Sequence, residues 1–180
     1  MQPWKTLSRK TILDHSKYLK VENHAIELPD GRVIPDWPWI ITPDYINAIA
    51  LTTEGQFVCF RQTKYSIEGS SLAPVGGFLE PGEEPLAAAK RELQEETGYE
   101  APNWIDLGKY AVDGNRGAGT AYFFLATEAK FVGKGESDDL EPQETLLLTQ
   151  DTLKAALLAG EFKVLPWAAL VALVLQYLNN

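Results

Sequence analysis

Short apolar runs separated by turn residues occupy the first third of the chain and predict paired strands. Residues 19–28 lead into the turn cluster at 29–31 and then into 32–34, which predicts an N-terminal hairpin. Residues 46–51 and 57–61 flank a second turn and predict another hairpin. The pattern therefore indicates an antiparallel beginning to the chain.

Strands continue later in the chain, interrupted by helices. Residues 105–112 and 121–126 have strand composition and are separated by the loop GNRGAGT, and 145–148 predicts a last short strand. Asp151 is the expected N-cap of a helix that ends near Gly160. Strands interspersed with a few helices predict an α/β fold of the α+β type, with a mixed sheet covered on both faces.

Two further helices are predicted from proline and glycine positions. One runs from Pro85 to about Thr97, with Gly98 as its C-cap residue and an apolar stripe. That stripe consists of Leu86, Ala89 and Leu93. The other follows Pro166 and is apolar almost all round, so it should be buried against the sheet, with a subunit interface as the alternative. Its apolar run, 164–175, is shorter than the roughly 20 residues needed to cross a bilayer, so no membrane span is expected.

Acidic residues concentrate on the helix that begins at Pro85. Glu92, Glu95 and Glu96 lie at i, i+3 and i+4 and share one patch. Like charges at that spacing cost about 0.2 to 0.5 kcal/mol per pair unless a cation neutralises them. Oxygen ligands suit Mg²⁺, with Mn²⁺ as the alternative, and Arg91 is placed to pair with Glu83 and hold the carboxylates. The alternative interpretation is a solvated acidic helix.

Composition narrows the function classes. The 180 residues suit one domain, and the net charge of −9 disfavours a nucleic acid polymer as partner. Small phosphorylated substrates remain compatible, because a metal ion supplies local positive charge. The single Cys59 cannot form an internal disulfide, and the N-terminus lacks the apolar run of a secretory signal peptide, so a cytoplasmic location is expected.

The segment 77–99 resembles the Nudix box, the signature of the Nudix hydrolase family. Gly77 is followed after five residues by Glu83, and after seven more by the run Arg91-Glu-Leu-Gln-Glu-Glu-Thr-Gly-Tyr99, where only the final tyrosine replaces an aliphatic residue. The resemblance implies a Nudix-type α/β/α sandwich that grips a small nucleotide substrate. It also implies metal binding by Glu92, Glu95 and Glu96, supported by Glu83 with Arg91, and a further metal contact from the Gly76 carbonyl.

Outside the box, the chain is similar to the ADP-ribose pyrophosphatase branch of that family. The similarity lies in LPDGR at 28–32, RQTKY at 61–65 and LAGEF at 158–162. It implies a single domain over 1–180, with N-terminal strands in 1–42 that serve dimerisation and a Nudix core in 43–180, and hence a homodimer. It also implies that Arg61 contacts a phosphate or ribose, with Arg116 a weaker candidate. The branch's proline beyond the box is replaced by Asn115 and Arg116, and a metal-supporting carboxylate is replaced by Ala73.

A mechanism follows as a hypothesis. Bound Mg²⁺ would lower the pKa of a water that attacks one phosphorus of a pyrophosphate, with a general base from the acidic loop 135–144. Matching the family places that base at Glu141, with Glu144 as the runner-up, although acidic runs are often only solvated loops.

Three function classes follow from this hypothesis. The leading one is a pyrophosphatase for ADP-ribose or another ADP-sugar. The others are the same chemistry on a dinucleotide, GDP-sugar or nucleoside triphosphate, and a Nudix-fold nucleotide-binding protein without turnover. The unbroken set of Glu92, Glu95 and Glu96 disfavours the third class, because a binder without turnover has no need for three repelling carboxylates.

Overall fold

The computed structural model describes residues 1–133 and 142–179. The predicted base Glu141 lies outside the described residues. In chain order, the strands and helices are β1 Lys5–Ser16, β2 Leu19–Glu27, β3 Val33–Ile41, β4 Tyr45–Thr52, β5 Phe57–Gln62, β6 Ser71–Ala73, β7 Val75–Phe78, α1 Pro85–Thr97, β8 Tyr99–Glu100, β9 Asn103–Asp113, β10 Gly117–Phe131, β11 Gln143–Leu148, α2 Gln150–Leu158 and α3 Leu165–Leu178. The chain divides into two compact units, Met1–Asp44 with Tyr110–Ala121, and Tyr45–Lys109 with Tyr122–Asn180.

The first unit is built on three antiparallel strands. β2 pairs with β3 over Lys20↔Ile41 to Glu27↔Val33, which confirms the predicted N-terminal hairpin. β1 pairs with β2 along its whole length, from Lys5↔Glu27 to Ser16↔Leu19. All twelve residues of β1 are exposed. The pattern of apolar residues does not predict this strand, because the strand buries no face and so lacks apolar alternation.

Two half-buried tryptophans of β3 contact neighbouring segments of the first unit. The Trp37 indole N–H donates to the Asn115 carbonyl at 2.7 Å, and its ring meets Trp4 edge-on with centroids 5.3 Å apart. Trp39 stacks on the buried His24 ring at 5.4 Å. β3 continues through two prolines to Ile41, well beyond the short strand that was predicted, because it pairs with β2 as far as Lys20↔Ile41.

The second unit is organised around β4 and β5. These two strands pair antiparallel at Ala50↔Val58 and Leu51↔Phe57, so the second predicted hairpin is confirmed. β7 pairs with β4, while β6 and β11 pair with β5. Cys59, in β5, is fully buried, and burial raises the pKa of its thiol to about 12. β4 and β5 therefore form the core of this unit.

Helices complete the second unit. α1 packs on β7 and β4, and α3 packs on β4 and α2. The observed strands and helices confirm the predicted α+β class. The sheet is mixed, because β3 and β10 run parallel at Ile40↔Gly117 while the other pairs described above are antiparallel. The limits of α1 and its glycine C-cap agree with the prediction from Pro85 and Gly98.

The predicted burial of α3 holds for one side of the helix and is wrong for the rest of its surface. The buried positions lie on one side, whereas Leu165 is 81% and Tyr177 47% exposed. Those buried residues are Trp167, Leu170, Val171, Val174 and Leu175. The helix packs through this one side only, so apolar residues elsewhere on it reach solvent.

Two smaller predictions about helices are also wrong. The N-cap of α2 is Thr149, whose hydroxyl accepts from the Thr152 N–H at 3.2 Å, so Asp151 lies in the first turn. In α1, Leu86 is 39% exposed, and the buried face shifts to Ala88, Ala89 and Leu93. Small residues occupy that face because the helix lies close to the strands, and the larger leucine is displaced to the rim.

No helix within 1–133 and 142–179 is long and apolar enough to cross a membrane. The prediction of a single domain over 1–180 stays a prediction, since two compact units are seen and each has internal packing of its own.

Candidate active site

The candidate site lies where β7 leads through a turn into α1. Gly76 and Gly77 of β7 pair with Asn47 and Ile46 of β4. The turn is closed by the Glu83 N–H donating to the Glu80 carbonyl at 3.0 Å, and by the Glu80 N–H donating to the Glu83 carboxylate at 3.0 Å. Strand, turn and helix therefore bring the two glycines beside the acidic face of α1.

Both glycines permit side chains to approach the backbone of β7. A Cβ at Gly77 would overlap the Glu92 carboxylate, and a Cβ at Gly76 would overlap the Asn47 amide nitrogen. The Gly76 N–H donates to the Glu96 carboxylate at 3.2 Å. Glycine is required at both positions because the Asn47 amide and the Glu92 carboxylate take the space that a side chain would fill.

Arg91 is the centre of an ion-pair network. Its Nε and Nη2 donate to the two Glu83 carboxylate oxygens at 2.9 and 3.0 Å, a bidentate pair. Its Nη1 donates to Glu92 at 2.7 Å and to Glu95 at 3.0 Å. One guanidinium thus holds three carboxylates. The pairing with Glu83 was predicted from the sequence, and those with Glu92 and Glu95 were not.

The network shifts the pKa of its members. Hydrogen bonding to the Arg91 guanidinium holds the pKa of Glu83 below its ordinary value of 4.5. Hydrogen bonds to Glu83, and then to Glu92 and Glu95, raise the pKa of Arg91 further above its already high value. The arginine therefore carries its charge at any pH at which the protein folds, and Glu83 remains an anion into the acid range.

We expect Glu83 to contribute stability that depends on pH. Because its pKa is lowered on folding, this contribution is fully present above about pH 4.5 and is lost as the pH falls through the lower folded pKa. Glu83→Gln should reduce the free energy of unfolding near neutral pH and flatten its decline in acid. Urea unfolding of both proteins across a pH series measures this. Parallel curves for variant and wild type would contradict the assignment.

The three candidate metal ligands are divided between two partners. Glu92 and Glu95 bond to Arg91, whereas Glu96 bonds to the Gly76 N–H. Within the described part of the chain, no three His, Cys, Asp or Glu side chains form a ready cluster for a metal. The donor set nevertheless fits a hard divalent cation, because it offers only carboxylate and backbone oxygens. Whether these residues bind metal stays a prediction.

Arg61 lies on a separate element from the box. Its Nη2 donates to the Glu161 carboxylate at 2.9 Å, and Glu144 lies opposite it in the β5–β11 pairing. The Glu161 carbonyl in turn accepts from the Ser71 hydroxyl at 3.0 Å and from the Leu72 N–H at 2.9 Å. The RQ and GEF segments singled out in the sequence are therefore neighbours. Arg116, by contrast, is 3.5 Å from Asp113 in the first unit.

Sequence reasoning missed two residues beside these groups. Asn47 lies opposite Gly76, and Glu161 engages Arg61. The first had a detectable signature, since it is the only polar residue in the apolar run Ile46–Leu51. The second lies in the LAGEF segment that the family resemblance singled out, but its pairing with Arg61 across a hundred positions of sequence depends on the fold.

Two family models match the chain. One, the NUDIX domain, covers residues 42–168 and includes the whole of the strand, turn and helix described above. The chain belongs to the Nudix family. The other model, the nucleoside diphosphate sugar hydrolase N-terminal domain, covers residues 4–40. The predictions of family and of a hydrolase acting on pyrophosphate bonds are confirmed.

Individual relatives agree with this assignment. The Nudix chain is 29% identical to the ADP-ribose pyrophosphatase of Bacillus subtilis (strain 168), over 97% of this chain and 95% of that protein. It is 34% identical to the methanol dehydrogenase activator of Bacillus methanolicus, over 53% of this chain and 51% of that one. A crystal structure of an ADP compounds hydrolase superposes with a TM-score of 0.81 at 19% identity, covering 99% and 96% of the two chains, which confirms the Nudix fold.

Proposed function

We propose that this Nudix hydrolase is a Mg²⁺-dependent pyrophosphatase for a nucleoside diphosphate sugar, with ADP-ribose as the first substrate to test. The observation that carries the proposal is the strand, turn and helix at 75–97, where a glycine pair meets Glu92 and Glu96. Similarity of 4–40 to the N-terminal domain of nucleoside diphosphate sugar hydrolases supports a sugar-linked substrate. Similarity along 97% of the chain to an ADP-ribose pyrophosphatase supports the adenine nucleotide.

The metal would be held by Glu92, Glu95 and Glu96, with the Gly76 carbonyl as a further oxygen ligand. When bound, Mg²⁺ supplies charge neutralisation at the pyrophosphate and a water of lowered pKa. Mn²⁺ offers the same ligand preferences and is the natural alternative. Two of these carboxylates are already oriented by Arg91, and the third by the Gly76 N–H.

Arg91 and Glu83 act as supporting residues in this proposal. The bidentate pair fixes the guanidinium against the turn, so that its remaining N–H groups orient Glu92 and Glu95. A fixed arrangement costs less to organise when substrate binds. Arg61 would contact a phosphate or ribose, because a planar guanidinium can donate two parallel hydrogen bonds to such a group. In the structure, its ion pair with Glu161 holds it in position.

A loop glutamate would accept the proton of the attacking water, and Glu141 remains our first choice with Glu144 second. We expect Glu141→Gln to lower kcat on the order of 100-fold, because general bases contribute about that much or more. Glu144→Gln should have a small effect, since Glu144 is exposed in β11. Steady-state rates at saturating Mg²⁺ measure both variants. A reversal of the two effects would move the role to Glu144.

The proposed activity is tested by incubating the protein with Mg²⁺ and a panel of nucleotide derivatives, with products identified by mass. ADP-ribose should give AMP and ribose 5-phosphate, and a chelator should stop the reaction. The panel includes another ADP-sugar, a GDP-sugar, a dinucleotide and a nucleoside triphosphate. If the GDP-sugar, the dinucleotide or the nucleoside triphosphate is cleaved faster than ADP-ribose, the proposed substrate changes and the proposed pyrophosphatase chemistry stays. Absence of turnover with every compound, despite nucleotide binding, would support the third class.

We also propose a homodimer formed through the first unit. β1 is a fully exposed strand of twelve residues, and it carries exposed Leu7, Ile12 and Leu13. A long exposed strand with apolar residues favours association. Sedimentation at micromolar concentration should give twice the chain mass of 20.0 kDa, and Ile12→Lys should give the monomer. The matched change Leu158→Lys, at an exposed leucine of α2, should leave the dimer intact. A monomeric wild-type profile would count against the proposal.

Two broader proposals accompany this function. A cytoplasmic location rests on the single Cys59, which is buried in β5. The chain would act as one domain, in which 1–42 serves dimerisation and 43–180 carries the chemistry.

A further inference from the structure

A buried polar residue interrupts the apolar strand β4. Asn47 is 3% exposed, and its neighbours Ile46 and Ala48 are 0% exposed. Its Oδ1 atom has no hydrogen-bond partner among the residues that the structure describes. Burying an unpaired polar atom costs free energy, so such a group in a folded protein calls for an explanation. Packing alone does not supply one, since leucine has nearly the same size and carries no polar atom.

The position of Asn47 relates it to the candidate site. It lies opposite Gly76 in the β4–β7 pairing, and its amide nitrogen fills the space that a Cβ at Gly76 would need. The next residue, Gly77, presents the other face of the strand, because successive residues of a strand point to opposite sides. On that face, the Glu92 carboxylate takes the space of the missing Cβ. The backbone of β7 is therefore held between an amide and a carboxylate.

A second contact extends this arrangement to Glu96. The N–H of Gly76, the residue that Asn47 covers, is the donor to the Glu96 carboxylate. A shift of the Gly76 backbone would thus change the position of Glu96 directly and of Glu92 through Gly77. The backbone of β7 thus links Asn47 to both glutamates.

We propose that Asn47 is a positioning residue of the site: its amide, packed on Gly76, sets how closely β7 approaches the metal-binding glutamates of α1. The inference deepens the proposed function and rests on it. It accounts for the unpaired oxygen, because the amide is retained for its contact with Gly76 and not for stability. It also accounts for glycine at position 76, which is the residue that leaves room for the amide.

Stability and function should respond in opposite directions to Asn47→Leu. The change removes the unpaired oxygen, so the melting temperature should stay equal or rise. It also replaces the planar amide by branched methyl groups over Gly76, so the glutamates should be displaced. We expect Mn²⁺ affinity, measured by calorimetry on metal-stripped protein, and kcat on ADP-ribose each to fall about tenfold, as when a residue supporting metal ligands is lost. KM should change less than kcat.

The matched control is Ile49→Val, two residues further along β4. Ile49 is 0% exposed and lies outside the pairing with β7. Its truncation should lower the melting temperature while leaving Mn²⁺ affinity and kcat unchanged. The opposite behaviour of two buried residues of one strand separates positioning from general packing.

A pair of variants tests the contact itself. Gly76→Ala should weaken Mn²⁺ binding, because its Cβ overlaps the Asn47 amide. The double variant Gly76→Ala/Asn47→Ala should bind Mn²⁺ more tightly than Gly76→Ala alone. Recovery should be partial, because the Ile46 carbonyl lies 3.2 Å from the same Cβ position. Should Asn47→Leu fail to fold, this comparison decides the question by itself.

The outcomes distinguish this inference from the proposed function. Wild-type protein that neither binds Mn²⁺ nor cleaves any member of the panel would overturn both. Active wild type with Asn47→Leu equal to it in Mn²⁺ affinity and kcat would overturn the positioning role alone. Equal Mn²⁺ affinities for Gly76→Ala and the double variant would do the same.

Discussion

Glu96→Gln is expected to reduce turnover of ADP-ribose by about 100- to 1,000-fold, the loss found when a group that stabilises transition-state charge is removed. Glutamine keeps the size of the side chain, and its amide oxygen still accepts the Gly76 N–H. What disappears is the negative charge that a metal ion would share. The fold should therefore survive, and metal affinity and rate should fall together. Product release measured with increasing Mg²⁺, beside thermal unfolding, tests both parts.

The control for this variant is Glu100→Gln, in the two-residue strand β8 just beyond the box. Glu100 is exposed and lies outside the Arg91 network. The Glu100→Gln change removes the same charge from the same region, so a loss of turnover caused only by the change in net charge would appear in both variants. Near-normal turnover in Glu96→Gln would remove the central assignment of the proposed site.

Gly98→Ala should be the most destabilising single change within the box. Gly98 caps α1 with φ +72°, where an L-residue costs about 1 to 2 kcal/mol. A Cβ at this position would also overlap the Gly133 carbonyl, which is backbone and cannot rotate away. Forcing atoms into a packed site adds about 1 to 3 kcal/mol. The free energy of unfolding from urea titrations should fall by the sum of the two terms.

Gly55→Ala provides the matched comparison. Gly55 has φ +78°, but nothing lies within 4 Å of its Cβ position, so this change carries the conformational cost without the overlap. It should lose about 1 to 2 kcal/mol. The difference between the two alanine variants measures the contact between Gly98 and Gly133. Equal losses would show that the segment before residue 134 yields to the new side chain.

The features of the candidate site that depend on residues close together in the sequence were predictable. The helix limits, the glycine cap and the pairing of Arg91 with Glu83 all follow from spacing within one segment, and the structure agrees with each. The two hairpins of β2–β3 and β4–β5 were equally local. Turn residues and short sequence separations determine such features without long-range contacts.

Other features could not be predicted because they depend on contacts distant in sequence. The sharing of Arg91 among three carboxylates needs their rotamers, and the pairing of Arg61 with Glu161 needs β5 beside the segment before α3. β1 shows a different limit, since it is held by one partner strand and not by burial. Leu86 was misplaced because an amphipathic stripe defines a direction but not how far the packing surface extends.

The burial of Cys59 supplies a way to follow all of these variants. A cysteine reacts with alkylating reagents as its thiolate, which is the nucleophile, and this sulfur is both inaccessible and held protonated by its surroundings. Alkylation must therefore wait until β5 opens. The rate of Cys59 labelling in native buffer would report how often the core of the second unit opens, and no additional cysteine has to be introduced by mutation.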